Sequence, residues 1–156
     1  MINITEHFIL DEFTRSDTAE KLGIINNPQG IHIENMQRLC VNVLEPLREH
    51  FVKPVNIKSG YRCPALNEAV KGSKNSQHME GMAADIEIPG VDNADIWNWI
   101  DENLEFDQLI AERLREDDGS AGWIHISYDH FGNRVQAMSC LEQGEYRDGL
   151  WFMEDL

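Results

Sequence analysis

Basic side chains are scarce in this sequence. Thirteen Lys and Arg stand against 28 Asp and Glu, a formal charge of -15. Such a surface repels phosphate backbones and anionic lipid, which excludes nucleic acid as an expected partner. Long apolar runs are also missing. No stretch approaches the roughly 18 apolar residues of a membrane span, and the start, MINITEHFILDEF, has no basic segment followed by a long apolar one. Neither membrane insertion nor an export signal is expected. Only three cysteines occur, Cys40, Cys63 and Cys140, widely spaced and without a CxxC pair. That pattern fits reduced thiols and excludes both a disulfide framework and a structural thiolate zinc site. Repeats, linkers and low-complexity tracts are absent as well, so residues 1–156 are expected to form a single domain around one core.

What is there is ordered patterning. A short helix is expected from Asp17 to Leu22, with Ser16 as N-cap and Gly23 to end it. Met36, Leu39, Cys40, Val43, Leu44 and Leu47 recur at three- and four-residue spacing and predict a helix from about Ile31 to Phe51, kinked or divided by Pro46. Alternation predicts a strand from Pro54 to Ser59, then a short helix around Pro64 to Lys71 and a loop over 72–75. A strand from about Met82 to Ile88 leads to a helix from Asp92 to about Asn103 that turns Ile96, Trp99 and Ile100 inward. Strands near Phe106 to Glu112 and Trp123 to Tyr128 follow. A hairpin turn over Asp129 to Asn133 then reaches a last strand near Arg134 to Met138. The expectation is an α+β fold with a largely antiparallel sheet and helices packed mainly on one face.

Within Ser76-Gln77-His78-Met79-Glu80-Gly81-Met82-Ala83-Ala84-Asp85, a His and an Asp lie seven residues apart across a turn that Gly81 permits. If Ala84, Ile86 and Ile88 face the core, Asp85 faces away from it with Ala83 and Glu87. By the same alternation Ile124 and Ile126 face the core, and His125 is displayed with Trp123 and Ser127. Two imidazoles and one carboxylate leave a fourth metal position for water, the pattern of a catalytic zinc site, where the pKa of that water falls from about 15.7 toward about 7. Spacing alone does not decide the matter, because six His residues occur here and most histidines are surface or hydrogen-bonding groups.

The stretches SGYRCPALNEAV, SQHMEGMAADIEI, FDQLIAE and GWIHISY, in this order and separation, resemble the M15 family of zinc peptidases. That family includes D-alanyl-D-alanine carboxypeptidases, dipeptidases and phage cell-wall endopeptidases. The likeness is greatest to its small phage-associated branch, and HFILDEFTRSDTAEKLGI and VLEPLREHF extend it over nearly the whole chain. The resemblance implies a hedgehog/DD-peptidase-like fold and one zinc ion held by His78, Asp85 and His125. It implies that Arg62 steadies the substrate carbonyl or developing oxyanion, and that Ser76 and Gln77 line the pocket. Tyr61, Trp123 and Tyr128 are expected to shape a substrate groove, whereas Trp97, Trp99 and Trp151 read as packing residues.

One position departs from the family pattern. Many members place a Glu three residues before the last His, and here that residue is Gly122. Glu112, which closes the QLIAE strand, is the expected substitute as general base. Glu116, Asp117 and Asp118 follow it in an acidic loop that reads as solvated.

The implied activity is zinc-dependent hydrolysis of a peptide bond in bacterial peptidoglycan, of D-Ala-D-Ala carboxypeptidase or cell-wall endopeptidase type. The substrate would be a stem peptide or a related D-amino-acid peptide. Synthesis in the cytoplasm would then require release to the wall, or incorporation in a virion, with phage lysis or virion proteins as partners. Gly122 also leaves open a zinc-binding but non-catalytic module, or a metal-free domain of the same shape.

Overall fold

Periodicity decides which face of each element is covered. In the computed structural model, which describes residues 1–156, the helical half of the chain lies against one face of a six-stranded sheet. Three helices come first, α1 (Leu10–Thr14), α2 (Asp17–Leu22) and α3 (Gly30–Leu39). In α2 the Ser16 hydroxyl accepts the Ala19 N–H, and Gly23 closes the helix in the left-handed region, as expected.

The helix expected over residues 31–51 is divided before its proline. A π-helical segment, Cys40–Leu44, joins α3 to α4 (Glu45–Phe51), and the Glu45 N–H bonds back to the Cys40 carbonyl five residues earlier. Pro46 lacks an N–H, and its ring crowds the carbonyl four residues back, so widening the turn relieves the conflict. The apolar stripe survives this break: Met36, Leu39, Cys40, Val43, Leu44 and Leu47 are all fully buried. Each such side chain contributes roughly 1.5–3 kcal/mol of burial, which outweighs the few tenths of helix propensity that any one residue supplies.

The remaining elements are β1 (Asn56–Ser59), α5 (Pro64–Ala69), a 3-10 turn over Gln77–Glu80, β2 (Ala83–Glu87), α6 (Asn93–Asn103), β3 (Gln108–Glu112), β4 (Trp123–Ser127), β5 (Gln136–Glu142) and β6 (Glu145–Asp148). The sheet order is β1-β2-β4-β3-β5-β6, antiparallel at every pairing except β3 with β5. Ala84, Ile86, Ile124, Ile126, Leu109 and Ala111 join the helices in one core cluster of 24 buried residues. No helix is long and apolar enough to cross a membrane.

Three expectations are corrected. The turn at 129–133 does not make a hairpin, because β5 pairs in parallel with β3 rather than with β4. Trp99 packs half-buried against the core as expected, but Trp97 is the more deeply buried tryptophan of α6, and its indole N–H donates to the Met138 carbonyl. α1 and β6 were not foreseen in the sequence.

The parallel crossover is fixed by Asp107, which is fully buried just ahead of β3. Its carboxylate accepts the Arg134 backbone N–H at 2.8 Å, the Arg134 Nη2 at 2.6 Å and the Gln77 Nε2 at 2.8 Å. Burial alone would raise this carboxyl, but Arg134 and Gln77 outweigh it and hold it below its ordinary value. A depressed carboxyl stabilises the fold above its unfolded pKa of about 3.9, and that contribution is lost as pH falls through the folded value. Asp107→Asn is therefore expected to cost about 2 kcal/mol at pH 7, where charged hydrogen bonds are lost. It should also flatten the fall in the urea midpoint of unfolding below about pH 5 relative to the parent. Equal slopes in parent and variant would show that Asp107 does not carry this linkage.

Candidate metal and active site

Alternation along β2 and β4 sends Asp85 and His125 away from the core, and the register pairs them directly across the two strands. His78 reaches the same place from the 3-10 turn. Gly81 ends that turn at φ +73°, and a Cβ there would overlap the His32 carbonyl oxygen, so only glycine lets the chain return into β2 so closely.

The three side chains present one donor atom each. His78 Nδ1 donates to the Gly60 carbonyl at 2.7 Å, which leaves Nε2 facing Asp85 Oδ1 at 3.4 Å. His125 turns Nδ1 to the same oxygen at 3.0 Å. All three donors lie within 4.8 Å of one another. Tetrahedral zinc with ligands at about 2.0–2.1 Å requires donor separations of about 3.3 Å, so the two distances to Asp85 already match such an ion. The backbone bond of His78 is the outer-shell contact that fixes tautomer and ring plane in metal-binding imidazoles. Two nitrogens and one oxygen are also the donor chemistry that zinc takes in catalytic sites. The residues fit the ion.

The electrostatics suit it too. Burial lowers the His78 pKa against the opposing pull of Asp85, which favours the neutral imidazole that binds metal. Burial alone would raise Asp85, but His78 and His125 outweigh it and hold the carboxylate well below its usual range.

Arg62 follows β1 on the SGYR turn. Its backbone N–H donates to the His78 carbonyl at 3.1 Å, and its Nη2 donates to Ser76 Oγ at 3.2 Å. Ser76 Oγ also accepts the His78 N–H at 3.3 Å, so Arg62, Ser76 and His78 form one connected unit. Burial pulls the Arg62 pKa down while Asp85 opposes it. Gln77 points its amide nitrogen the other way, to Asp107. Tyr61 is nearly covered, with its ring stacked on His32 at 4.9 Å between centroids.

Glu112 lies opposite Trp123, and Ile110 lies opposite His125, so Glu112 sits one alternation along from His125 on the same face. Burial raises its pKa, with His125 lowering and Asp85 raising it in turn. Its cross-strand neighbour on the other side is Cys140, whose thiol burial and the Glu112 charge push up to about 11. Glu116, Asp117 and Asp118 are exposed, Asp117 with Arg115 and Asp118 with Ser120.

Gly122 acquires a steric cause. Its φ is +72°, and a Cβ would overlap the Glu112 carbonyl oxygen, so the tight approach to β3 admits no side chain. Gly122→Ala is expected to lower stability by about 2 kcal/mol or more through backbone strain alone, measured as a drop in the urea midpoint. A variant as stable as the parent would show that the chain can reopen there at no cost.

Two positioning residues escaped the sequence reading. Asn26 donates from Nδ2 to the Tyr61 carbonyl at 2.9 Å and accepts the Cys63 N–H at 2.8 Å, bracketing Arg62 from a loop 35 residues upstream of Tyr61. Nothing local marks it. Asp107 had a signal, a charge at the head of an apolar strand.

No curated protein matches this sequence. A family model described as Peptidase M15 matches residues 6–127, a span that runs from before α1 through β4 and contains Arg62, His78, Asp85, Glu112 and His125. The chain belongs to the peptidase M15 family.

Proposed function

We propose that this chain is a zinc-dependent peptidase that cleaves a peptide bond in bacterial peptidoglycan, of D-Ala-D-Ala carboxypeptidase or cell-wall endopeptidase type. The observation that carries the reading is the convergence of His78 Nε2, Asp85 Oδ1 and His125 Nδ1 on the sheet face that also displays Glu112. Zinc bound there would acidify a water toward a pKa of about 7 and polarise the scissile carbonyl.

The chain's own residues supply the rest. Glu112 takes the proton of the attacking water at a carboxylate oxygen and delivers it to the leaving amine, a task suited to a carboxyl raised by burial. Arg62, held by Ser76, sets its guanidinium against the negative charge that develops on the carbonyl oxygen. Ser76 and Trp123 are the residues proposed to border the substrate, whereas Gln77 is committed to the buried Asp107 and Tyr61 is covered by its stack on His32. Gly122 does not argue against hydrolysis, since packing against Glu112 and Arg113 explains it without reference to chemistry. A phage setting, with lysis or virion proteins delivering the enzyme, is supported by the likeness of the motifs to that branch.

Purified peptidoglycan incubated with the zinc-loaded protein is expected to gain new amine termini between about pH 6 and 9. A chelator should abolish the gain, and added zinc should restore it. No new termini at any pH in that range would refute the proposal.

A further inference from the structure

β1 is an edge strand, bound to β2 on one side only. A groove of about 630 Å³ lies beside it, and all four consecutive residues of β1, 56–59, line that groove. Side chains of a strand alternate between faces, so a cleft touching four in a row runs along the strand's edge rather than over one face. The edge exposes unpaired backbone N–H and C=O groups to it. Past Ser59 the edge closes, because the Tyr61 N–H donates to the Phe13 carbonyl at 2.7 Å.

The groove joins the metal-ligand cluster at two points. Arg62 lines it, and Ser59 lies across from Asp85 on the same side of the sheet. Its charge also departs from the acidic surface elsewhere. Arg15, Lys58 and Arg62 line it together with Asp17 and Glu87. Lys58 and Glu87 are paired at 3.4 Å. The Arg15 side chain makes no hydrogen bond or ion pair, whereas the guanidinium of Arg62 bonds Ser76 beside Asp85, so Arg15 is the cation of the groove left to hold an anion.

We propose that this groove is the subsite for the substrate chain on one side of the scissile bond. The peptide adds to the sheet as a further antiparallel or parallel strand along the β1 edge, and one of its carboxylates is held by Arg15. Four strand residues at about 3.3 Å each give about 13 Å of edge, room for three to four substrate residues. Main-chain pairing accepts residues of varied side chain, while Arg15 selects an anionic peptide over a neutral one. The inference rests on the peptidase reading for the identity of the peptide, but binding tests it without turnover.

The probe is a synthetic peptidoglycan stem pentapeptide, compared with the same peptide carrying every carboxyl as the amide. Amide hydrogen exchange of the zinc-loaded protein is followed as each is added. The free-acid peptide should slow exchange at the outward amides of residues 56–59. The amidated peptide, and the Arg15→Ala variant, should each need at least about 10-fold more peptide for the same protection. Arg15→Lys, which keeps the charge, should recover part of the loss. Arg15 is exposed, so the variant's unfolding midpoint should match the parent's. No protection along β1, or equal affinity in parent and Arg15→Ala, overturns the proposal. Protection along β1 without cleavage of any wall peptide upholds the groove and refutes the hydrolase reading.

Discussion

Replacing Glu112 by Gln is expected to cut peptide hydrolysis about 1,000-fold while leaving one zinc per chain in place, the range set by general acid–base catalysis being about 100- to 10,000-fold. The substitution keeps size and hydrogen-bonding shape and removes only the ability to take a proton. Its effect should fall on kcat, since proton transfer is needed in the transition state rather than in binding. Glu112 is the acid whose register places it on the face of Asp85 and His125, and burial raises its pKa in the direction a base working near neutral pH requires. Other acids are poorly placed. Position 122 admits no side chain, and Glu116, Asp117 and Asp118 are exposed in the loop between β3 and β4. Steady-state rates on a soluble wall peptide, with metal content measured on the same samples, decide the point. A Glu112→Gln enzyme within about fivefold of the parent would remove Glu112 from the mechanism.

Asp85→Ala carries the second large effect, a loss of zinc affinity of more than about 100-fold, because outer-shell partners alone are worth 10- to 100-fold and Asp85 supplies a donor directly. His78 and His125 both turn a nitrogen to Asp85 Oδ1, so its removal deletes one donor and releases the orientation of a second, His125, whose ring bonds nothing else. His78 keeps its bond to the Gly60 carbonyl and should hold its place. Competition against a chromophoric chelator measures the affinities. Unchanged affinity in Asp85→Ala would mean that the two histidines bind metal in another arrangement.

The sequence made some features legible because they rest on local chemistry. Alternation placed Asp85 and His125 opposite the core with no knowledge of pairing, since Ala84, Ile86, Ile124 and Ile126 left one face to the polar residues. The Ser16 cap and the Gly23 stop were local in the same way. Other features depend on contacts between distant residues. The turn after β4 has hairpin composition, yet Asp107 captures Arg134 from 27 residues away and draws the following strand to the far side of β3. β6 consists of Glu145, Tyr146, Arg147 and Asp148, too polar for an alternation signal, and is held by register with β5 and by bonds from Arg147 to the Asp155 carbonyl and from Trp151 to the Asp148 carbonyl. In α6 an apolar run of Ile96, Trp97, Trp99 and Ile100 leaves the buried face uncertain by one residue, and the Trp97 bond to Met138 settles it. Gly122 reads in the sequence as a lost acid and in the structure as a crowded backbone position. The gathering of His78, Asp85 and His125 was thus legible, and less so the parts of Asn26 and Asp107, which act by holding other residues.

X-ray absorption at the zinc edge, on protein loaded with one equivalent of zinc, reads the donor atoms around the ion itself. Two imidazole nitrogens and light oxygen donors are expected at about 2.0–2.2 Å, four-coordinate and free of sulfur, with one imidazole fewer in His125→Ala. A sulfur shell at about 2.3 Å, or the absence of stoichiometric zinc from the parent protein, would contradict this coordination.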